Sequence, residues 1–576
     1  MNALDQPQPL EQSTKDLCDL EFFNHFTDIN TPGSIEFQNM NSIEPLFPLT
    51  DASAEREQPT PSPSPQASSY LQFCEADDHV IGSDIFSNSP NVDFGVVERL
   101  RYPRQSSTPR HEMPLSPALQ DNSSILVEYY FKEVCGMMSC YDSKLNPYRT
   151  TISNLWGHSP SLYYVIQSMA AACLSEVSPG LSTAGDRLRD KAVNSLWNES
   201  RVGPTDTSSL LALVMLGFSL CWHDPGRLGQ SEFELLAETV LSLENQNNNL
   251  SPADRQKRIF FHNSLVYWKM LLSFVTDQEL PSLGATRAIQ PRPARFPTQD
   301  ETRMPHPQTG IGVEIQEIVA QVGALIRKER KRIRSRRHSS RHDIEQSLNA
   351  IRTAEELHSK LCEVELPKEV TVLDSGDDMT PTGHLLKAAE AYRCTGLLQL
   401  YRNFPDLLSH DIEPVNMMSQ SSWLEAAQST NVGHNDDAKA FLDTWLTSLA
   451  LHVLDLVQEI PISSHSRSIQ PLLLVSICSE LSLNRSFIPK PDLKESPIAS
   501  IISSPRMKGP PTITDVLHAR RLIISRLSYF EGILAAKPIR QMLTLVKETW
   551  AWMDKKQQDV YWMDVMMENG YETLMG

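Results

Sequence analysis

The chain has 576 residues, and 40% of them are hydrophobic, which is enough to bury a large core. Its 39 prolines and 23 glycines are ordinary for this length and exclude a collagen-like chain, and its nine irregularly spaced cysteines exclude a small disulfide scaffold. A net charge of −19 argues against a molecule covered by a basic, DNA-binding surface.

The first 121 residues, the acidic head, are predicted to be disordered. They hold 14 of the 39 prolines, and residues 1–98 carry 17 acidic side chains against two basic ones, Lys15 and Arg56. Proline interrupts helices and strands, and the apolar side chains between the prolines are too few to offset the entropy lost on ordering. The remaining 478 residues carry 50 basic and 54 acidic groups, so the body of the chain is nearly neutral.

Carboxylates and large apolar side chains are interleaved in short stretches of the acidic head. Carboxylates keep such side chains in water while leaving them available to a partner's groove, which is typical of an amphipathic activation segment. A generic solvated tail with scattered aromatic residues is the alternative. The predicted apolar anchors are Leu20, Phe22, Phe23, Phe26, Leu46 and Phe47. The predicted phosphorylation sites, each followed by proline, are Thr60, Ser62, Ser64, Ser89, Thr108 and Ser116.

Hydrophobic periodicity predicts a large, irregular, all-α domain over residues 122–576, with two lobes divided by a proline-rich loop near 280–310. Helices are predicted from Ser124, from Pro160, and over 207–222, 252–275, 383–404, 437–459, 467–484, 512–536 and 539–569. The best strand candidate is short, residues 369–373. The longest apolar run, 210–222, has 13 residues and is too short to span a bilayer, so no membrane partner is expected. No secretory leader is expected either, and the cysteines are interpreted as reduced thiols of an intracellular protein.

No catalytic motif emerges from the body, and no catalytic, cofactor-binding or metal-binding residue is predicted. Cys135 and Cys140 lack the further ligands that zinc needs, so we interpret them as core residues. Acidic residues around Gly376 lack the calcium-loop spacing and are interpreted as a solvated turn. His306, between two prolines, has no recognisable partner and is interpreted as a structural loop histidine.

One charge run is anomalous in a net-acidic chain. Residues 327–341 hold nine basic side chains and one acidic one. Three interpretations remain open: a nuclear-localisation signal, a patch that binds nucleic-acid phosphates, or a solvated helix end. The candidate localisation residues are Arg327, Lys328, Arg330, Lys331, Arg332, Arg334, Arg336 and Arg337. Phosphorylation of the neighbouring serines, Ser335, Ser339 and Ser340, would reduce the local charge.

Several blocks of the body, taken in order, are similar to one family. They are residues 128–131, 145–149, 155–156, 161–172, 222–225, 265–272, 304–310, 396–405, 561–566, 568–572 and 575–576. Together they resemble the fungal-specific transcription factor domain, a helical regulatory region that usually follows a zinc binuclear cluster. The resemblance implies transcriptional regulation in the nucleus, in fungi often of metabolic or biosynthetic genes.

The sequence departs from the family pattern in its cysteines. The family's DNA-reading module needs six cysteines in two halves to hold two zinc ions, whereas only Cys18 and Cys74 precede the body. We therefore expect a regulator or co-activator that acts through a DNA-bound transcription factor or the transcription machinery, without direct DNA contact. The DNA-bound factor could itself be a family member, and the chain could form a homodimer or a heterodimer. A truncated product of a zinc-cluster factor is one alternative. A helical ligand-binding protein or enzyme without a recognisable motif is the other.

Overall fold

A computed structural model describes residues 122–202, 206–246, 252–283, 303–338, 340–411, 432–485, 487, 501, 504–556 and 559–576. Within these residues the fold is helical, which confirms the all-α prediction, and β-type pairing is limited to two isolated bridges, Arg303–Val372 and His306–Gly310. The acidic head, with its predicted disorder, activation anchors and phosphorylation sites, lies outside the described residues.

The helices before the proline-rich loop begin with α1, whose last turn continues as a π-helix over Tyr130–Val134. Their bounds are α1 Asn122–Tyr129, α2 Cys135–Met137, α3 Thr150–Leu155, α4 Pro160–Leu174, α5 Gly180–Val202, α6 Thr207–His223, α7 Gln230–Gln246 and α8 Pro252–Val275.

The helices after that loop run to the C-terminal tail. Their bounds are α9 Val313–Ser335, α10 Arg341–Glu363, α11 Thr382–Asn403, α12 Asp406–Asp411, α13 Val432–Gln458, α14 Pro471–Ser476, α15 Pro505–Lys508, α16 Ile513–Ile533, α17 Ala536–Lys556 and α18 Trp562–Asn569. Short 3₁₀ turns lie at Glu369–Thr371, His465–Ile469 and Cys478–Glu480.

Side-chain caps fix where several helices start. Ser159 accepts a hydrogen bond from the backbone N–H of Leu162, and Pro160 occupies the first helical position of α4. Ser340 and Asp343 form a reciprocal capping box at the start of α10. Such caps satisfy backbone N–H groups that have no partner within the helix.

The core is continuous across the described helices. Helix α6 is buried on all sides from Thr207 to Trp222, while α8 packs on α9, α9 on α11, and α11 on α13. Gly217 lets α6 approach α8 closely, because a Cβ atom there would lie 1.9 Å from the ring of Trp268. Residues 284–302, most of the predicted lobe boundary, lie outside the described residues, and the division into two lobes stays a prediction.

Three sequence predictions about the elements are wrong. Residues 467–484 form two 3₁₀ turns and the short helix α14 instead of one helix, since Pro471 lacks the N–H that an uninterrupted helix needs. The predicted strand over 369–373 is mostly a 3₁₀ turn whose end pairs with Arg303. The single helix predicted over 539–569 is two helices, α17 and α18.

Among the described helices, the long helices α5, α7, α9 and α10 and the short helices α3, α12 and α15 were not predicted. Among the described residues, one segment, Lys439–Gln458, is long and apolar enough to cross a membrane by length and composition alone. It lies within α13, and 61% of its apolar stretch is buried in the fold.

Candidate functional site

Helix α9 carries the basic run at its outer end. Its inner half buries Ile315, Val319, Val322 and Ile326, which recur every three or four residues as an amphipathic helix requires. This apolar pattern stops where the basic run starts, so the last two turns of α9 extend beyond the core. We call α9 from Arg327 onward, together with the turn to Arg341, the basic hairpin.

The first cation of the basic hairpin has a structural role. Arg327 is 5% exposed, and its Nε donates to Asp277 Oδ1 at 2.7 Å. Its other nitrogens donate to the carbonyl of Phe274 at 3.0 Å and to Glu572 Oε1 at 3.3 Å. Charge-assisted hydrogen bonds of this kind are what a buried guanidinium needs to remain stable. Arg327 therefore ties α9 to the end of α8 and to the C-terminal tail.

Two further arginines hold α9 against α18. Arg330 forms an ion pair with Asp564, and its guanidinium lies 4.8 Å from the centre of the Tyr561 ring. Arg334 binds Glu568 at 2.8 Å and the carbonyl of Asp564 at 3.0 Å. These contacts join α18 to α9, which lies more than 200 residues earlier in the sequence.

Further ion pairs of the basic hairpin involve Lys331 and Arg332. Lys331 Nζ lies 2.7 Å from Asp277 Oδ2. Arg332 pairs with Glu329 and donates to Ser347 Oγ at 2.7 Å, which places the end of α9 beside the first turns of α10.

Five of the predicted localisation residues are exposed to solvent: Lys328, Lys331, Arg334, Arg336 and Arg337. Arg336 adopts extended backbone after α9 and donates to the carbonyl of His338 at 3.3 Å. Among the described residues, Lys328 and Arg337 form no ion pair. The structure thus brings all eight candidates to one hairpin. It places Arg327, Arg330, Lys331, Arg332 and Arg334 in ion pairs, and it exposes five of the eight to solvent. Their role in nuclear localisation stays a prediction.

The described residues contain no group of three or more His, Cys, Asp or Glu side chains able to hold a metal ion. Cys135 and Cys140 are buried, as expected for core residues. Burial raises the pKa of both thiols, that of Cys135 to about 12.

His306 is a structural histidine, as expected. Its Nε2 lies 3.1 Å from the carbonyl of Phe260, and its Nδ1 accepts from the backbone N–H groups of Gln308 and Thr309, both at 3.2 Å. Because Nδ1 accepts, the ring proton is on Nε2 and donates to Phe260. Burial lowers the pKa of His306 to about 3, so the ring is neutral at physiological pH.

The solvated-turn prediction is wrong for Asp377. Asp374 and Asp378 are exposed, but Asp377 is 7% exposed and binds His465 Nδ1 at 2.6 Å. It also accepts from the backbone N–H of Asp142 at 2.9 Å. Burial alone would raise the pKa of Asp377, but these hydrogen bonds outweigh it and lower the pKa to about 2. The carboxylate is a fixed link between three distant parts of the chain.

A second charge cluster was also missed, and we call it the Glu480 cluster. Glu480 is 1% exposed and lies 3.4 Å from Arg402 Nε and 3.0 Å from Arg485 Nη1. Asp443 lies 3.3 Å from Arg485, and Asp559 pairs with Arg402. No local sequence signal could have revealed this cluster, because its members come from four separate segments.

An open cleft of about 420 Å³ lies beside the turn between α6 and α7. Its lining is mostly polar, with Arg227, Gln230, Ser231, Glu232 and Glu234 among the residues. Ligand pockets are typically enclosed and lined mainly by apolar side chains, so this cleft gives little support to the ligand-binding alternative.

The family comparison identifies the class of protein. The family model of the fungal specific transcription factor domain matches residues 124–576, and the chain belongs to this family. The chain is accordingly a transcription regulator, a role exercised in the nucleus. Searches of curated proteins and of solved structures found no match.

Proposed function

We propose that this chain is a nuclear regulator of fungal metabolic or biosynthetic genes that reaches DNA through a DNA-bound partner. One observation carries the proposal: the family's helical domain fills residues 124–576, while the sequence before it holds two cysteines, Cys18 and Cys74. Two thiolates cannot bind the two zinc ions that six cysteines share in the family's DNA-reading module. The partner is a DNA-binding family member or a component of the transcription machinery.

The body and the acidic head have separate tasks in this proposal. The helical body binds the DNA-bound partner, and the acidic head recruits transcription machinery through its aromatic anchors. The exposed cations of the basic hairpin, Lys328, Arg336 and Arg337 among them, bind the import receptor, because a receptor reaches only cations that are presented to solvent.

The activation role of the head is tested by fusing residues 1–121 to an unrelated DNA-binding domain and measuring a reporter. We expect strong output, reduced about tenfold by the triple substitution Phe22→Ala, Phe23→Ala and Phe26→Ala, because aromatic anchors dominate such interfaces. Tyr102→Ala is the matched control, an aromatic residue between arginines, and should leave the output unchanged. A silent fusion, or equal loss in the control, would count against the activation role.

A further inference from the structure

The basic hairpin carries an exposed apolar strip that the proposed function does not use. Ile333 at the end of α9 is 50% exposed, and Ile344 and Leu348 on α10 are 55% and 49% exposed. Single exposed apolar residues need no explanation, but three on one small structure indicate a contact surface.

The hairpin brings the three residues of the strip into one region. Ile344 and Leu348 are four residues apart on α10 and so lie on the same helix face. Arg332 bridges to Ser347 at 2.7 Å and to the carbonyl of Asp343 at 3.4 Å, which brings the end of α9, with Ile333, alongside them.

Cations border the strip. Lys328, Arg336 and Arg337 are exposed, and the side chain of Arg341 is 94% exposed beside Glu345. The nearest acidic groups are engaged, since Glu329 and Asp343 lie against Arg332, while Asp564 and Glu568 lie against Arg330 and Arg334. The strip therefore lies within a net positive field and fits an occupant that is both apolar and acidic.

We propose that residues 16–29 of the acidic head bind this strip. The segment carries Asp16, Asp19, Glu21 and Asp28 around three phenylalanines, Phe22, Phe23 and Phe26. Its carboxylates match the cationic border, and its aromatic rings match the apolar centre. A second copy of the hairpin is a poor occupant, because two basic borders would repel each other.

Covalent attachment permits this contact. The residues between position 29 and α1 number 92 and have a contour length of about 300 Å at roughly 3.3 Å per residue. Attachment also raises the local concentration of the segment, so weak contacts suffice for binding. If the proposed function holds, binding would cover both the activation anchors and the import cations. The contact itself does not depend on that function.

The test uses the purified full-length chain with a photo-cross-linking phenylalanine analogue in place of Phe23. Mass spectrometry of the irradiated protein maps the sites of attachment. We expect them at residues 333–351, with a yield that falls about tenfold between low salt and about 0.5 M NaCl, as charge screening requires.

Two double variants separate the strip from general apolar contact. Ile344→Asp with Leu348→Asp should lower the yield about tenfold, since carboxylates remove the apolar contact and repel the head. Ile513→Asp with Leu517→Asp is the control, because these residues are also exposed and four apart, on α16. Circular dichroism checks that both variants remain folded.

The proposal is overturned if attachment occurs elsewhere, if the hairpin variant and the control lose yield equally, or if mixed isotope-labelled chains cross-link mainly between copies. Each of these outcomes is distinct from failure of the proposed function, because a head that does not bind the strip can still activate the reporter fusion.

Discussion

The basic hairpin and the Glu480 cluster are both rich in arginine, yet they differ in almost every physical respect. The hairpin concentrates nine cations within 15 residues of sequence, with most of its ion pairs partly exposed. The Glu480 cluster collects its charges from segments as far apart as Arg402 and Asp559, and its central carboxylate is buried. A dense run of charges in the sequence, as in the basic hairpin, therefore indicates a surface that partners can reach. The burial of a charge, as in the Glu480 cluster, determines how much it contributes to stability.

The sharpest difference should appear when one carboxylate is removed from each region. We expect Glu480→Ala to lower the free energy of unfolding by about 3–5 kcal/mol, because Arg402 and Arg485 would be left buried without their central partner. Glu568→Ala is the matched change, because Glu568 on α18 pairs with Arg334 of the basic hairpin; its side chain is 44% exposed, and the change should cost less than about 1 kcal/mol. Denaturant titration of both variants measures the difference, and similar losses would contradict the contrast.

Acidification should affect the buried interior and spare the hairpin. Burial lowers the pKa of His306 to about 3 and those of His223 and His262 to about 4. Between pH 6.5 and these values the unfolded chain binds protons that the folded chain does not, so stability falls as the pH falls. We expect each histidine to cost on the order of 1 kcal/mol at about pH 5.5 relative to pH 7.

His306→Gln tests the assignment of this pH effect. The loss of stability between about pH 7 and pH 5.5 should shrink by about 1 kcal/mol, since one proton-binding group of the unfolded chain is gone. An unaltered slope in His306→Gln would contradict the role of burial.

The clamp between α9 and α18 should have a smaller and salt-sensitive effect. Asp564→Asn removes the carboxylate shared by Arg330 and Arg334, and we expect it to cost about 1 kcal/mol at low salt. This cost should diminish in about 0.5 M NaCl, because partly exposed ion pairs are screened. The cost of Glu480→Ala should stay the same at both salt concentrations, because the Glu480 side chain is buried. Denaturant unfolding of both variants at two salt concentrations measures these costs. An equal dependence on salt for Asp564→Asn and Glu480→Ala would contradict the expected difference.

The smallest effect on stability is expected where the functional effect is largest. Lys328→Gln, Arg336→Gln and Arg337→Gln together should change the free energy of unfolding by no more than about 0.5 kcal/mol, since the side chains are exposed. Nuclear accumulation of the full-length chain should nevertheless fall several-fold, measured by imaging of a tagged protein.

The control for import removes the same number of exposed cations from α10 and the segment after it: Arg352→Gln, Lys360→Gln and Lys368→Gln. It should leave localisation unchanged. Normal import of the hairpin variant would eliminate the nuclear-localisation interpretation, and equal loss in the control would reduce it to an effect of net charge.

Local patterns were enough to predict the all-α class and many helix ends. Ser159 with Pro160, and the turn after His223, are signals contained within a few residues. Prediction failed where tertiary contacts decide the outcome. Residues 467–484 are nearly all buried but wind into short turns, and their apolar composition looked like a helix. The basic run was visible in the sequence, but which of its cations would be buried depended on Asp277, Asp564 and Glu572, each far away in the chain.

Chromatin occupancy tests most directly whether this regulator reaches promoters through a partner. The tagged full-length chain is mapped on the genome, and the purified chain is then titrated against the same DNA fragments. We expect occupancy at discrete promoters and no binding of those fragments by the purified chain alone. Sequence-specific binding by the purified chain, or occupancy no higher than at random DNA, would contradict the account.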